Sequence, residues 1–130
     1  AILLAKLPYL KEWIEHRRQK ALFYNRMLKD LPVVLPYQSE AMYNVFHLYV
    51  TRLKNRDAVA KAFQNEGIET GIHYPVPLHL QPAYEYLGYK KGDFPVSEKC
   101  SEEFLSLPLC PEITEEEQMR VVSVLKKEIK

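Results

Sequence analysis

The chain has 130 residues, of which 47% are apolar, 27% charged and 12% aromatic, the profile of an ordinary globular domain and not of a disordered or fibrous chain. Its net charge of +1, from 18 basic and 17 acidic side chains, gives no field strong enough to hold a polyanion, so nucleic acid is not an expected partner. No run approaches the roughly 18 to 20 apolar residues of a membrane span and no basic, then apolar leader opens the sequence, so no membrane partner and a cytoplasmic location are expected.

At this length folding removes about two-thirds of the unfolded chain's surface from water, enough for one core without metal or disulfide staples. Cys100 and Cys110 lack the C-x-x-C spacing of a redox motif or zinc knuckle and read as buried free thiols. Ala1 is not a methionine, and Ile2, Leu3 and Leu4 read as the inside of an apolar element, so a missing N-terminal part is expected.

Leu7, Leu10, Ile14, Ala21, Tyr24, Leu28 and Leu31 recur at three-four spacing, interrupted only at Arg17, and predict a long amphipathic helix. Pro8 lacks an amide donor and crowds the carbonyl of Leu4, so the helix begins or kinks there. The run His16-Arg17-Arg18-Gln19-Lys20 spreads around the axis and reads as a solvated face. Pro32 and Pro36 close the helix, and residues 36–44 read as a loop.

Over 45–53, Phe46, Leu48 and Val50 alternate with His47, Tyr49 and Thr51, which predicts a strand carrying a core or interface His47. Asn55 or Asp57 caps a short helix with Val59, Ala62 and Phe63 on its face, ended by Gly67. Residues 68–74 read as a second strand. Three prolines punctuate residues 75–89, a structured loop with one helical turn ending at Gly88.

Asp93 is placed to cap a helix with Pro95 in its first turn and Val96, Cys100 and Phe104 on its buried face. Residues 105–109 read as a strand. Thr114 with Glu117 forms a capping box for a last helix whose stripe is Val121, Val122, Leu125 and Ile129. The order predicts an α+β domain, a small and mostly antiparallel sheet flanked by helices, spanning residues 1–130 as one unit.

The densest chemistry lies in Gly71-Ile72-His73-Tyr74-Pro75-Val76-Pro77-Leu78-His79-Leu80-Gln81-Pro82. Two imidazoles, a phenol and an amide on a stiff loop either bind a polar ligand, with the rings covering its apolar face, or satisfy the loop's own backbone. His73 and His79, six residues apart with no third ligand, do not make a metal site. Tyr84, Tyr86 and Tyr89 read as packing groups and not as base-stacking ones. No nucleophile elbow, phosphate-cradling glycine loop or H-E-x-x-H occurs.

The opening Ala1-Ile2-Leu3-Leu4-Ala5-Lys6-Leu7 with Trp13 and Arg17-Arg18, then His47-Leu48-Tyr49-Val50, then Gly67-Ile68-Glu69-Thr70-Gly71-Ile72-His73-Tyr74-Pro75 through His79, resemble the DegT-type nucleotide-sugar aminotransferases. Phe94-Pro95-Val96-Ser97-Glu98-Lys99 and Leu105-Ser106-Leu107-Pro108 with Thr114-Glu115-Glu116 fit the same family, so the resemblance covers nearly the whole chain.

The resemblance implies the small C-terminal domain of a fold-type I enzyme dependent on pyridoxal phosphate, which moves an amino group, commonly from glutamate, to a keto group of a nucleotide-linked sugar. It places the Schiff-base lysine and the cofactor contacts in an upstream large domain, so no catalytic or cofactor-binding residue is carried onto this chain, which is expected to be inactive alone. It puts His73, Tyr74 and His79 at the substrate side of the site and implies a homodimer. A sugar dehydratase of the same family and a free-standing ligand- or protein-binding module are the competing readings.

Overall fold

The computed structural model describes residues 1–129. The chain starts as α1 (Ile2–Lys6), tightens into a 3-10 turn over Leu7–Tyr9 and continues as α2 (Leu10–Leu28). Pro8 sits inside that turn, where the Leu10 amide donates to the Leu7 carbonyl. Helical backbone therefore persists on both sides of the proline, and Pro8 changes the pitch instead of starting the helix.

Only the second half of the predicted stripe is buried. Ala21, Tyr24 and Leu28 are in the core, whereas Leu7 and Leu10 are exposed, because the sheet and the last helix reach α2 only along that half. Arg17 and Arg18 are not a solvated face. Arg17 donates to the carbonyls of Leu109 (3.0 Å) and His47 (3.3 Å), and Arg18 donates to Asn44 (2.8 Å) while lying 4.2 Å from the centre of the Tyr43 ring. The two guanidiniums fasten the segments before the first strand and after the second onto α2, and the His47 side chain is left exposed.

The sheet has two antiparallel strands, β1 (Tyr49–Arg52) and β2 (Phe104–Leu107). Tyr49 faces Leu107 and Thr51 faces Leu105, and these four side chains form the inner face. β1 is shorter than its alternation predicts. Phe46 adopts φ of 46°, held by the Asn44 side-chain oxygen on its amide at 2.9 Å, and this kink turns its ring into the core and delays pairing until Tyr49.

The predicted strand over 68–74 is reduced to one bridge, Gly71 with Ser106, because Tyr74 takes φ of 60° and the prolines that follow cannot donate to a ladder. Val34 makes a similar bridge to Arg52 on the opposite edge. Each edge of the two-stranded sheet is thus covered by a single residue of loop.

Between the strands, α3 (Arg56–Asn65) packs Val59 and Phe63 on the inner face and ends with Gly67 at φ of 69° while the Ile68 amide donates to Phe63 at 2.9 Å. The loop over 75–89 holds two 3-10 turns, Leu78–Leu80 and Pro82–Leu87, the second closed by left-handed Gly88.

The next helix, α4 (Pro95–Glu103), is preceded by Phe94 and not capped by Asp93, whose carboxylate closes the earlier turn by accepting from the Lys90 amide at 2.8 Å. Its expected face does not form: Val96 is 75% exposed, Cys100 is half-buried, and Phe104 already belongs to β2, leaving Ser101 as the buried residue. Cys110 is exposed, contrary to its reading as a buried thiol.

The last helix, α5 (Glu115–Glu128), has the predicted capping box: the Glu117 amide donates to Thr114 Oγ1 at 3.2 Å and the Thr114 amide to the Glu117 carboxylate at 2.8 Å. Val121, Val122 and Leu125 close the core. Tyr24 and Tyr49 lie at its centre with rings 5.0 Å apart, and their hydroxyls donate to the Pro108 carbonyl (3.0 Å) and the Asn25 side chain (2.7 Å). The architecture is the expected α+β domain with helices α2, α3 and α5 on one face of the sheet. Among the described residues no helix is long and apolar enough to cross a membrane.

Candidate functional site

Helices cover the inner face of the sheet, so the outer face is where its side chains meet loops and solvent. Strand alternation places Val50 and Arg52 of β1 and Phe104 and Ser106 of β2 there. Arg52 is held by Glu103, with Nε and a terminal nitrogen 3.1 and 2.8 Å from one carboxylate oxygen. That hydrogen bond raises the guanidinium's pKa further and keeps Arg52 cationic at the base of the face.

His73 arrives on this face from the edge. The Gly71 amide donates to the Ser106 carbonyl at 3.0 Å and the Ser106 amide donates back at 2.8 Å, which fixes Gly71 opposite Ser106. Two residues further on, the His73 ring leans back over Gly71 and brings Nδ1 to 2.8 Å from Ser106 Oγ.

Tyr74 follows in the left-handed region with its phenol 80% exposed, an uncommon backbone for a bulky residue immediately before a proline. His73, Tyr74 and Phe104 together separate two open hollows. One, of about 400 Å³, runs over the sheet face between Val34, Leu35, Pro36, Tyr37, Leu48, Val50 and Arg52. The other, of about 440 Å³, lies between Pro77, Leu78, Ser97, Cys100 and Ser101. Both walls are mainly apolar; His73 and Tyr74 bring polar groups to both, Arg52 and Tyr37 to the first, and Ser97, Cys100 and Ser101 to the second, the composition of a small-ligand site.

His79 is not brought together with the other two. Its side chain is only 7% exposed, borders neither hollow, and donates from Nε2 to Glu98 Oε1 at 2.9 Å, with its ring 4.8 Å from Phe94. The same carboxylate accepts from the amides of Gly92 (2.8 and 3.1 Å) and Phe94 (3.4 Å). The Gly92 amide first, with His79 and Phe94 adding to it, holds the Glu98 carboxyl below its ordinary pKa against the opposing effect of burial. This cluster pins the proline-rich loop to the start of α4. Tyr89 joins it edge-on to Phe94, while Tyr86 is largely exposed and does not pack as expected.

Sequence reasoning missed Ser106, Glu98 and Arg52. Ser106 reads only as one polar residue alternating within Phe-Leu-Ser-Leu, and its link to His73 crosses 33 residues. Among the described residues no lysine is buried, and none borders either hollow.

The chain is 45% identical over 125 residues to a protein named pleiotropic regulatory protein from Geobacillus stearothermophilus, covering 94% of this chain and 34% of that protein. It is 37% identical over 127 residues to the dTDP-3-amino-3,6-dideoxy-alpha-D-galactopyranose transaminase of Aneurinibacillus thermoaerophilus, covering 98% and 34%. Among solved structures, S. venezuelae DesV in complex with a ketimine intermediate superposes with a TM-score of 0.92 at 32% identity, over 97% of this chain and 34% of DesV. The chain therefore spans about a third of the length of the relatives it matches. A family match over residues 1–126 agrees with the fold and the motifs, and the chain belongs to the DegT/DnrJ/EryC1/StrS aminotransferase family.

Proposed function

We propose that residues 1–130 are the small C-terminal domain of a nucleotide-sugar aminotransferase, and that the outer face of its sheet forms the substrate side of the active site. The observation that carries this reading is the identity of 37% to a dTDP-amino-sugar transaminase along 98% of the chain while only 34% of that relative is covered. The remaining two-thirds of such an enzyme has room for the cofactor domain. In this reading the enzyme is a cytoplasmic homodimer that transfers an amino group, with glutamate as donor, to a keto group of a nucleotide-linked sugar.

Pyridoxal phosphate does not fit the described residues alone, since none of their lysines is buried and Lys61, which borders an open hollow beside α3, is itself exposed. The cofactor and its lysine are accordingly assigned to the rest of the enzyme, and this segment is inactive by itself. What the present residues contribute is binding. His73 and the Tyr74 hydroxyl supply hydrogen bonds to the sugar nucleotide from the rim, and Phe104 with Val50 supplies the apolar wall. His79 holds the loop that presents them and does not touch the substrate.

The test is made on the protein translated from the complete reading frame. Near-visible absorption followed by borohydride reduction and peptide mapping should place a trapped cofactor on a lysine outside residues 1–130. A cofactor that binds but is not trapped identifies a dehydratase of the same family, and no cofactor at all leaves a binding module. His73→Ala and Tyr74→Ala should raise KM for the sugar nucleotide about tenfold each with cofactor content unchanged. Unaltered KM in both removes the substrate role of this face.

A further inference from the structure

The double hydrogen bond between Gly71 and Ser106 does more than cover a sheet edge. Residues directly opposite in an antiparallel bridge project their side chains to the same face, so the Ser106 hydroxyl stands beside the place where Gly71 would carry a Cβ. Gly71 has none, and the ring of His73 occupies that space. A Cβ added at Gly71 would lie 2.6 Å from the ring's Cε1, closer than such atoms approach, and 3.2 Å from Nδ1.

The imidazole is thus seated from two sides. Gly71 leaves the floor open, and Ser106, itself 5% exposed, meets Nδ1 at 2.8 Å. His73 otherwise belongs to an exposed loop, where an unrestrained side chain would sample several rotamers and lose that freedom on meeting a ligand. The contact to His73 is the only side-chain hydrogen bond of Ser106 among the described residues, and its 2.8 Å length serves either direction, hydroxyl to Nδ1 or Nδ1–H to hydroxyl. With the hydroxyl donating, its proton is satisfied in this buried position and the neutral ring carries its own proton on Nε2.

We propose that Ser106 is the positioning residue for His73: with Gly71 as the seat, it locks the ring and its tautomer so that Nε2–H is a ready donor to an oxygen acceptor on the sugar nucleotide. The proposal rests on the reading of this face as the substrate side of the site. Ser106 touches no substrate, and its influence passes through the ring.

The experiment is a double-mutant cycle in the complete enzyme, with the ring nitrogens of His73 followed by NMR after histidine-specific 15N labelling. Ser106→Ala should raise KM for the sugar nucleotide about tenfold with kcat within twofold, His73→Ala should do the same, and the double variant should be no worse than His73→Ala alone. Ser106→Thr, which keeps the hydroxyl, should restore KM. Gly71→Ala displaces the ring while leaving the hydroxyl in place, and provides the same readout if Ser106→Ala folds poorly.

Additive losses in the double variant overturn the proposal, because a merely structural serine would weaken the enzyme independently of His73. If His73→Ala leaves KM unchanged, the substrate reading fails and the ring signals decide the rest. Protonation at Nε2 that becomes a tautomer mixture in Ser106→Ala upholds the positioning, and signals indifferent to Ser106 overturn it.

Discussion

His79 Nε2 lies 2.9 Å from Glu98 Oε1, joining residues 19 apart in the chain so that one carboxylate ties together an imidazole and the amides of Gly92 and Phe94. The tie closes the loop that begins at His73 and Tyr74 against the first turn of α4, so the rigidity of the outer face depends on a group that does not border it. His79→Ala should lower unfolding stability by roughly 1–2 kcal/mol, through the lost bond and the lost contact with Phe94. Urea unfolding measures this, and a midpoint equal to wild type would show that the loop is held without His79.

The acid side of the stability curve follows from the same carboxylate. The folded state holds the Glu98 carboxyl below its ordinary pKa, so its contribution is present above the ordinary carboxylate range and is lost as pH falls through the lowered folded value. Glu117, held low by the Thr114 amide and hydroxyl, acts in the same direction. Glu98→Gln should be less stable than wild type at pH 7 and should approach it as pH falls below about 4.5. Parallel curves for the two proteins between pH 7 and pH 3 would exclude this linkage.

The helices are largely legible in the sequence because their signals are local. Thr114 and Glu117 are three residues apart, and Gly67 sits just beyond the helix it ends. The strands are less legible because each is four residues long and is defined by a partner more than fifty residues away, Thr51 by Leu105. Phe46 shows the limit: its alternation fits a strand, but a side-chain oxygen two residues earlier bends the backbone out of it. At the candidate site His73 and Tyr74 stand out by composition, while Ser106, which lies 2.8 Å from the His73 ring, does not. His79 has the same residue type as His73 and a different task, decided by which neighbour encloses it.

Tyr24 and Tyr49 predict behaviour at high pH. Burial pushes both phenols above their ordinary value of 10.0; the neighbouring acidic groups add to the rise, and only at Tyr24 is it opposed, by the Gln118 side chain. Their contribution is therefore complete below pH 10 and is lost as pH rises beyond it, when the unfolded chain ionises and the folded core does not. Tyr24→Phe should cost about 1 kcal/mol at pH 7 by leaving the Pro108 carbonyl without its donor, and should reduce the alkaline loss. Spectrophotometric titration provides the check: phenolate absorption from these two residues should appear only with unfolding.

The capping box at α5 offers a comparison that does not touch the site. Thr114→Ala removes the acceptor of the Glu117 amide and the hydroxyl that bonds the Glu117 carboxylate, and should lower stability by about 1 kcal/mol without altering ligand binding. A calorimetric scan gives the shift. An unchanged melting temperature would mean that the core contacts of Val121 and Leu125 hold the helix start without the cap.

The N-terminal helical segment carries the last prediction. Leu3, Leu7 and Leu10 share one face by their four- and three-residue spacing, and they are 83%, 59% and 46% exposed, with Ile2 and Leu4 beside them similarly uncovered. Apolar side chains exposed in a contiguous row drive association, because bringing two such rows together removes about 25 cal/mol of unfavourable hydration per Å² buried. The 130-residue chain by itself should therefore self-associate in a concentration-dependent manner, read as a rising weight-average mass in sedimentation equilibrium. Replacing Leu3, Leu7 and Leu10 together by Lys should return the mass to that of a monomer without loss of the folded core, since none of the three packs into it. A monomer mass for the unaltered chain across a hundredfold concentration range would show that this face is tolerated in water. Association that survives the triple substitution would move the contact elsewhere, with the exposed Tyr86 and Leu87 as the next surface to alter.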